Sequence, residues 1–436
     1  AQWSVDTGYV PTRKSAFETE IMKKYYAERP QAKVAYEQLK FAKPELTTYN
    51  AAEIWRILND NIQSAITGEK TAKDALDNAQ KEHDMFANIF RQNGCEVFYL
   101  EDLCAESLYD DGIRTAFIEE FLDNADVHVE NEKRLLKEYL FSIKDNKELV
   151  LKMMEGVRKN EVDLKEPSTL SELVSKNDFF ISKPLPNLYF TRDPFSFIKD
   201  GVSLHTMWSV TRRRETLFGK YIFEHHKEFK GIKKWYDRTD IPSIEGGDIL
   251  VLSEDVVAIG ISQRSTPMAI ETIAKRLLED ENGVKTVLAM VIPNNRAFMH
   301  LDTVLTSVDR DLFTLHPEIE KTLEIYSLKL VDGKVKVEVE STDIEVVLKK
   351  YLHVDKIDFI REGKGGLLDT HREQWSDGYN TLAIAPREAI VYDRNTITNQ
   401  LLEEKGVKLH KIDSGELSRG RGGPRCMSMP LFRENL

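Results

Sequence analysis

A single cysteine near the end of the chain lies in surroundings that suit a nucleophile. Cys426 follows the segment RGRGGPR, which supplies three glycines and three arginines. Glycines allow the backbone of such a loop to approach a ligand closely, and nearby guanidinium groups favour the thiolate form of a thiol. Cys426 is therefore a candidate nucleophile on an accessible loop. A tight turn with an incidental thiol explains this segment equally well.

Four other stretches place carboxylates, an imidazole and guanidinium groups beside strand-like runs, at 186–194, 211–215, 243–248 and 298–303. In the last stretch, His300 and Asp302 are two residues apart, which predicts a shared face if the segment is a strand. Such a face could bind a metal ion, because both side chains are common ligands. It could also hold a general base beside a substrate anchor.

Taken singly, each stretch also has an ordinary structural explanation. Asp193 precedes a proline and could begin a turn, and Glu245 belongs to an EGGD sequence that suits a hairpin turn. The arginines at 212–214 are typical of a solvated surface. No single motif decides between catalysis and structure.

Three familiar kinds of site are excluded by spacing. Cys95, Cys104 and Cys426 form no paired-cysteine zinc motif. The segment 420–423 lacks the lysine and hydroxyl residue that complete a phosphate-binding loop, and no GxSxG elbow is present.

The composition bounds the class of protein. The chain has 436 residues and a net charge of -12, which argues against non-specific binding to nucleic acid. Three cysteines in a chain of this length indicate a reducing compartment. No apolar run is long enough to span a membrane, and the first residues lack the layout of a signal peptide. We therefore expect a cytoplasmic protein with no membrane partner.

The pattern of apolar residues predicts an α/β fold with a helical insertion. Residues 1–30 form an N-terminal extension, residues 31–103 and 179–436 form the α/β part, and residues 104–178 form a helical block. Individual predictions include a helix at 79–93 ended by Gly94, a strand at 95–100, a helix at 267–278 capped by Thr266, and a hairpin around Pro386. No internal repeat is visible.

The combination of motifs is far more specific than its parts. In order, the chain contains NLYFTRD at 187–193, RETL at 214–217, IEGGD at 244–248, MHLDT at 299–303, REQW at 372–375 and the ending at 420–430. Together these segments closely resemble the arginine deiminase family of guanidino-group-modifying enzymes, from about residue 33 onwards.

The resemblance implies a hydrolase that converts free L-arginine and water to L-citrulline and ammonia, with no cofactor and no metal. Asp193 and Asp302 would hold the guanidinium through charge-assisted hydrogen bonds while Cys426 attacks its carbon. His300 would protonate the departing ammonia and then activate water. Glu245 would orient His300 and favour its protonated form.

The resemblance also implies residues that bind the rest of the substrate, namely Asn187, Arg212, Arg264, Gly420, Arg421 and, through its backbone, Leu58. The implied fold is a five-bladed α/β propeller of ββαβ units, catalytic at 31–103 and 179–436, with the helical block as an inserted bundle. The implied assembly is a homo-oligomer, a dimer or tetramer.

The first third of the chain departs from the family pattern. The stretch ILNDN at 57–61 replaces an aromatic residue and an aspartate of the family sequence, and the segment 65–75 resembles an insertion. Alternatives to an active arginine deiminase are a dimethylarginine hydrolase or amidinotransferase, a binding protein with a ruined pocket, and a metallohydrolase that uses His300 and Asp302.

Overall fold

The structure is a computed structural model that describes residues 19–29, 72–164, 169–175, 177–294, 296–320, 322–361 and 367–433. Residues 1–74 and 75–436 are two compact units. In the first unit, the described residues form helix α1, Glu20–Glu28, and the start of α2. Leu58, the 57–61 stretch and most of the 65–75 segment lie outside the described residues.

Twelve further helices follow among the described residues: α2 Ala72–Gln92, α3 Leu100–Ser107, α4 Asp111–Asn124, α5 Glu130–Ser142, α6 Asn146–Glu155, α7 Leu170–Ser175, α8 Glu215–His225, α9 Pro267–Glu279, α10 Pro317–Glu320, α11 Ile344–Leu352, α12 Leu367–Trp375 and α13 Thr396–Glu404. None of the described helices is both long and apolar enough to cross a membrane.

The strands are β1 Val157–Arg158, β2 Phe180–Ser182, β3 Phe195–Ile198, β4 Gly201–Leu204, β5 Lys233–Tyr236, β6 Ile249–Val251, β7 Val256–Ile261, β8 Thr286–Val291, β9 Leu305–Ser307, β10 Leu312–Leu315, β11 Glu324–Val331, β12 Lys334–Val339, β13 Asp358–Ile360, β14 Leu382–Ala385, β15 Glu388–Tyr392 and β16 Lys408–Ile412. The fold is therefore mixed α/β, as the sequence predicts.

The same unit occurs four times among the described residues. In each unit an antiparallel pair of strands is followed by a helix and then by a strand parallel to the second one: β3–β4–β5, β6–β7–β8, β9–β10–β13 and β14–β15–β16. The crossover helices are α8, α9, α11 and α13, because a parallel connection needs a long return. Strands β11 and β12 extend the second sheet to five strands. The sequence hides this repetition, since the units share no visible sequence period.

The helices α3 to α6 pack as a block whose apolar faces are buried together, in a cluster that includes Phe117, Phe121, Leu136 and Leu140. Asp110 begins α4 by accepting the backbone N–H groups of two residues in its first turn. The same cluster continues into the sheet of the first ββαβ unit. The helical block is therefore anchored on one unit through a shared core.

One local prediction is wrong. The segment 95–100 is not a strand: residues 95–99 have no regular structure and Leu100 begins α3. Gly94 has the positive φ of 79° that ends α2, and the chain beyond it pairs with no described strand. Acidic side chains in the first turn of α3 also favour a helix start at this point.

Other local predictions are confirmed. Helix α9 begins at Pro267, and the Thr266 hydroxyl accepts the backbone N–H of Ala269. Strands β14 and β15 form the hairpin predicted around Pro386. These segments are governed by local signals, which a single sequence contains in full.

Helix α2 supports the segment that leads to Cys426. The buried carboxylate of Glu82 accepts the backbone N–H groups of Glu416 and Leu417 at 2.8–3.0 Å. Apolar residues of α2 pack into the cluster that also contains Cys426. Helix α2 therefore helps to fix the path of the C-terminal loop.

We expect Glu82→Ala to lower the free energy of unfolding by about 2 kcal/mol, because two buried N–H groups lose their acceptor. Urea denaturation measures this effect, with Asp77→Ala as the matched control, since Asp77 is an exposed carboxylate on the same helix. A change no larger than that of the control would show that Glu82 does not hold the segment.

Candidate active site

The polar residues of the site lie in short turns that lead into the first strand of each ββαβ unit. Asp193 precedes β3, Glu245 precedes β6, Asp302 precedes β9 and Asn380 precedes β14. The four units therefore deliver polar groups from equivalent positions. Cys426 reaches the same place from the C-terminal loop.

His300 and Asp302 do not lie on a strand, so that prediction is wrong. His300 precedes a short 3₁₀ helix, Leu301–Thr303, that contains Asp302. The hydroxyl of Thr303 donates to the His300 carbonyl at 2.7 Å and closes this turn. The tight turn separates the two side chains, and each finds a different partner.

The imidazole of His300 lies between two buried carboxylates. Its Nε2 is 2.8 Å from Glu245 Oε2, and its Nδ1 is 3.8 Å from Asp193 Oδ1. The backbone N–H of Trp208 donates to Glu245 Oε1 at 3.0 Å and fixes that carboxylate. Gly247 is required here, because a methyl group at this position would overlap the imidazole ring.

Asp302 and Asn380 hold the cysteine from the other side. The Arg425 guanidinium donates to Asp302 Oδ2 at 2.6 Å, and Cys426 Sγ lies 3.7 Å from the same oxygen. The Asn380 side chain accepts the backbone N–H of Cys426 at 3.1 Å and donates to the Asp302 carbonyl at 3.0 Å. One amide thus fixes the distance between nucleophile and carboxylate.

Each of two buried aspartates keeps one oxygen without a hydrogen-bond partner. Asp193 gives Oδ2 to Arg212 at 2.8 Å, while its Oδ1 has no partner. Asp302 gives Oδ2 to Arg425, while its Oδ1 likewise has none. Buried carboxylate oxygens rarely stay unsatisfied, so the site has an unmet demand for hydrogen-bond donors.

The charge states at neutral pH follow from these contacts. Burial alone would lower the pKa of His300, but Asp193 and the hydrogen bond to Glu245 raise it to about 10. Burial would raise the pKa of Asp193, but the charges of His300 and Arg212 hold it below its ordinary value. Burial would also raise the pKa of Glu245, but the hydrogen bond from His300 and the charges of His300 and Arg212 together lower it. An imidazolium therefore lies between two carboxylates.

The surroundings of Cys426 differ from the sequence expectation in two ways. The side chain is buried rather than accessible. Burial, followed by the charges of Asp302, Asp193 and Asp377, raises the pKa of the Cys426 thiol well above its ordinary value, and Arg425 offsets this only in part. The arginines of the loop do not supply a thiolate, because Arg425 is paired with Asp302 and Arg421 stacks on Trp375.

Arg212 is more heavily engaged than a residue reserved for a substrate carboxylate. It donates to Asp193 at 2.8 Å and through Nε to both oxygens of Glu215 at 3.0 Å. Burial raises the pKa of Glu215 to about 7 despite this pairing. Arg212 therefore also supports the Asp193 carboxylate.

A pocket of about 180 Å³ opens beside these residues, and its wall includes Asn187, Trp208, Arg212 and Arg264. The guanidinium of Arg264 lies 4.7 Å from the centre of the Trp208 ring and 3.8 Å from Glu245. The structure thus places three of the predicted substrate-binding residues at one opening. The pocket wall does not include Cys426.

The two remaining described residues of the prediction lie on the C-terminal loop. Arg421 has the left-handed φ of 64° and stacks 3.5 Å over the Trp375 ring. Gly420 ends a 3₁₀ helix, and a methyl group there would overlap the Tyr189 hydroxyl.

Sequence reasoning missed several residues that shape the site. Asn380 and Arg425 fix Cys426 and Asp302, and Glu215 holds Arg212. Arg425 was visible beside the cysteine, but its partner was not. Asn380 follows the DG pair at 377–378, a turn signal that names no function.

Donor atoms of Asp193, Glu245 and His300 lie within 4.8 Å of one another, which is close enough for the three side chains to bind one metal ion. Both imidazole nitrogens face carboxylates, and the raised pKa of His300 favours a proton on each. An imidazolium has no lone pair for a metal ion. Asp302, the other ligand considered, is paired with Arg425. The charges around His300 therefore favour a protonated imidazole over a metal-bound one.

The comparisons with known proteins show the family of this chain. The family model "Arginine deiminase" matches residues 73–433. This chain belongs to the arginine deiminase family. An arginine deiminase of Streptococcus agalactiae is 53% identical over 365 residues, which are 83% of this chain and 89% of the relative. One of Treponema denticola is 50% identical over 82% of this chain and 88% of the relative.

Among solved structures, the N-terminal domain of a cyanobacterial arginine dihydrolase has 17% identity and a TM-score of 0.41, over 56% of this chain and 76% of that chain. A likeness at that score is too weak to define the fold of this family member.

We expect Asp302→Asn to speed the alkylation of Cys426 by iodoacetamide at a fixed, mildly alkaline pH. The Asp302 charge raises the pKa of the thiol, so its removal lowers that pKa and increases the thiolate fraction. Peptide mass spectrometry measures the rate, with exposed Cys95 as the reference thiol in the same sample. Slower or unchanged labelling of Cys426 would contradict this electrostatic assignment.

Proposed function

We propose that this chain is an arginine deiminase, which hydrolyses free L-arginine to L-citrulline and ammonia through a covalent intermediate on Cys426. The observation that carries the proposal is the pair of unsatisfied oxygens on Asp193 and Asp302, beside a thiol and an imidazolium. A flat cation rich in N–H donors is the ligand that this arrangement lacks.

A guanidinium would complete the site electrostatically. It carries N–H groups on opposite edges, so one edge can donate to Asp193 Oδ1 and another to Asp302 Oδ1. The positive charge is compensated by the Asp193 carboxylate, which is already ionised because its pKa is lowered. The central carbon is then held against Cys426 Sγ, which lies 3.7 Å from Asp302.

Substrate binding would also activate the thiol. In the empty site the carboxylates disfavour a thiolate, and a bound guanidinium brings a compensating charge next to the sulfur. An opposite charge within a few ångströms stabilises the ionised form. The nucleophile is therefore formed mainly when its target is present.

The chemistry then proceeds in two displacements. The Cys426 thiolate attacks the guanidinium carbon and forms a C–S bond. His300 gives a proton to one amino group, and its C–N bond breaks to release ammonia. Water attacks the resulting thiouronium carbon while His300 takes a proton from it. The remaining hydroxyl proton passes to the sulfur as the carbonyl forms and the C–S bond breaks, which yields citrulline and the Cys426 thiol. Glu245 keeps His300 oriented throughout.

The other end of the substrate would be bound at the pocket mouth. We assign the carboxylate of arginine to Arg264, with Arg212 and the Asn187 backbone nearby. Arg421 and Gly420 would close the loop side, and the Leu58 backbone would contribute from the region outside the described residues.

We further propose the five-bladed propeller for residues 31–103 and 179–436, with 104–178 as the inserted helical domain and 1–30 as an extension. The four ββαβ units support it, and the fifth blade would require residues before 72. We also propose that the protein is cytoplasmic and forms a homo-oligomer, a dimer or tetramer, without nucleic-acid or membrane partners.

Three alternatives predict different results. A dimethylarginine hydrolase would prefer methylated arginine, which a competition assay detects. A metallohydrolase would lose activity with a chelator and survive iodoacetamide, whereas a thiol enzyme would do the reverse. A non-catalytic binding protein would turn over none of these substrates.

The first test measures citrulline and ammonia released from L-arginine in metal-free buffer. We expect equal amounts from the wild type and none from Cys426→Ala, because the nucleophile is lost. Cys95→Ala is the matched control and should retain full activity. Cys95 is exposed, and none of its described contacts reaches a site residue. Citrulline formation by a folded Cys426→Ala protein would overturn the mechanism.

A second test separates substrate binding from chemistry. We expect Arg264→Ala to raise KM by about tenfold or more with a smaller loss in kcat, and His300→Ala to lower kcat by about 100-fold or more. Arg310→Ala, at an exposed arginine outside the site, is the control. Equal losses in kcat for the two site variants would contradict the division of roles.

A further inference from the structure

A buried carboxylate outside the reacting groups joins three parts of the site. Asp248 is fully buried and ends the 3₁₀ helix that follows Glu245. Its Oδ2 accepts the hydroxyl protons of Ser265 at 2.6 Å and Ser262 at 2.7 Å, and its Oδ1 accepts the backbone N–H of Leu301 at 2.8 Å. No ion pair to Asp248 occurs in the described part of the chain.

Each of these three contacts leads to a different residue of the proposed mechanism. The Ser265 oxygen accepts the backbone N–H of Glu245 at 3.0 Å. The Ser262 oxygen accepts the backbone N–H of Arg264 at 2.9 Å. Leu301 directly follows His300 and begins the turn that aims the imidazole.

Burial of a carboxylate without a cation is costly. The packing around Asp248 also leaves its side chain no room to move. Strand β7 passes over it so closely that a methyl group at Gly260 would overlap Asp248 Oδ1. Burial raises the pKa of Asp248 to about 6, with opposing contributions from His300, Ser265 and Ser262. The ionised form adds to the charges that keep His300 protonated.

We propose that Asp248 is a positioning residue that sets Arg264, Glu245 and His300 relative to one another through Ser262, Ser265 and the Leu301 backbone. The inference deepens the proposed deiminase function and rests on it for its kinetic readout. Asp248 does not touch the reacting atoms in this scheme, so its effects are transmitted through hydrogen bonds of known direction.

The two serine branches predict separable kinetic effects. Ser262→Ala removes the anchor of Arg264 and should raise KM about tenfold with little change in kcat. Ser265→Ala removes the anchor of Glu245 and should lower kcat about tenfold with little change in KM. Asp248→Asn should lower kcat and raise KM together, since one of the two acceptor oxygens becomes an NH2 donor and the two serine hydroxyls and the Leu301 N–H can no longer all keep an acceptor.

Ser327→Ala provides the matched control. Its hydroxyl is buried and donates to a carboxylate, that of Glu340, at 2.7 Å, but neither residue contacts the site. The control should leave kcat and KM unchanged while it removes the same kind of bond. The proposal would be overturned if both serine variants changed kcat and KM to the same extent, or if their changes were no larger than those of Ser327→Ala.

A second readout does not depend on turnover. Removal of the Asp248 charge should lower the pKa of His300, whose other facing charges are the carboxylates of Asp193 and Glu245. Arg212 is paired with those two carboxylates. Histidine side-chain NMR titration measures this pKa, with His300→Asn to assign the resonance and Ser327→Ala as the control. A lower pKa in Asp248→Asn supports the proposal even if no substrate is turned over, and an unchanged pKa opposes it.

Discussion

The burial of several carboxylates around one thiol is the constraint on which the rest of the site depends. Asp193, Glu245 and Asp302 are each at least nine-tenths buried, where an unpaired charge is expensive. Arg212, Arg425 and the His300 imidazolium compensate most of that charge. One oxygen of Asp193 and one of Asp302 still have no hydrogen-bond partner. In the proposed function, a cationic ligand would supply the donors that these two oxygens lack, so recognition of the substrate would follow from the folded structure itself.

The repeated ββαβ unit explains how residues far apart in sequence satisfy this constraint together. Each unit begins with a turn that places polar side chains and backbone groups at one end of a strand pair, and the site takes one turn from each unit. The glycines of the EGGD segment allow close approach, because side chains at Gly246 or Gly247 would overlap neighbouring units. The C-terminal loop then closes on these turns through Asn380 and Arg425. Precision comes from short turns on rigid strands rather than from long loops.

The sequence was sufficient for features that depend on local signals or on whole motifs. The α/β class, helix α9 with its Thr266 cap, and the hairpin around Pro386 follow from periodicity and turn chemistry. The family resemblance named the side chains that we propose to react. It could not supply the raised pKa of Cys426, because this depends on burial and on carboxylates that are distant in the sequence, chiefly Asp302 and Asp193. For the same reason the role of Asn380 was invisible, and a strand was wrongly predicted at 95–100, where apolar residues simply lack a pairing partner.

In the proposed mechanism the Cys426 thiol stays neutral until a cation binds, and this affects the direction of the reaction. The substrate guanidinium is charged, and its charge is what offsets the carboxylates beside the sulfur. The ureido group of citrulline is neutral, so hydrolysis removes that compensation at the moment the product forms. Asp193 and Asp302 then face a ligand that no longer satisfies their charge, and the thiolate regains its proton. In the proposed mechanism the two aspartates would therefore favour binding of the substrate over retention of the product, and the same interaction that activates Cys426 would also return it to the neutral thiol.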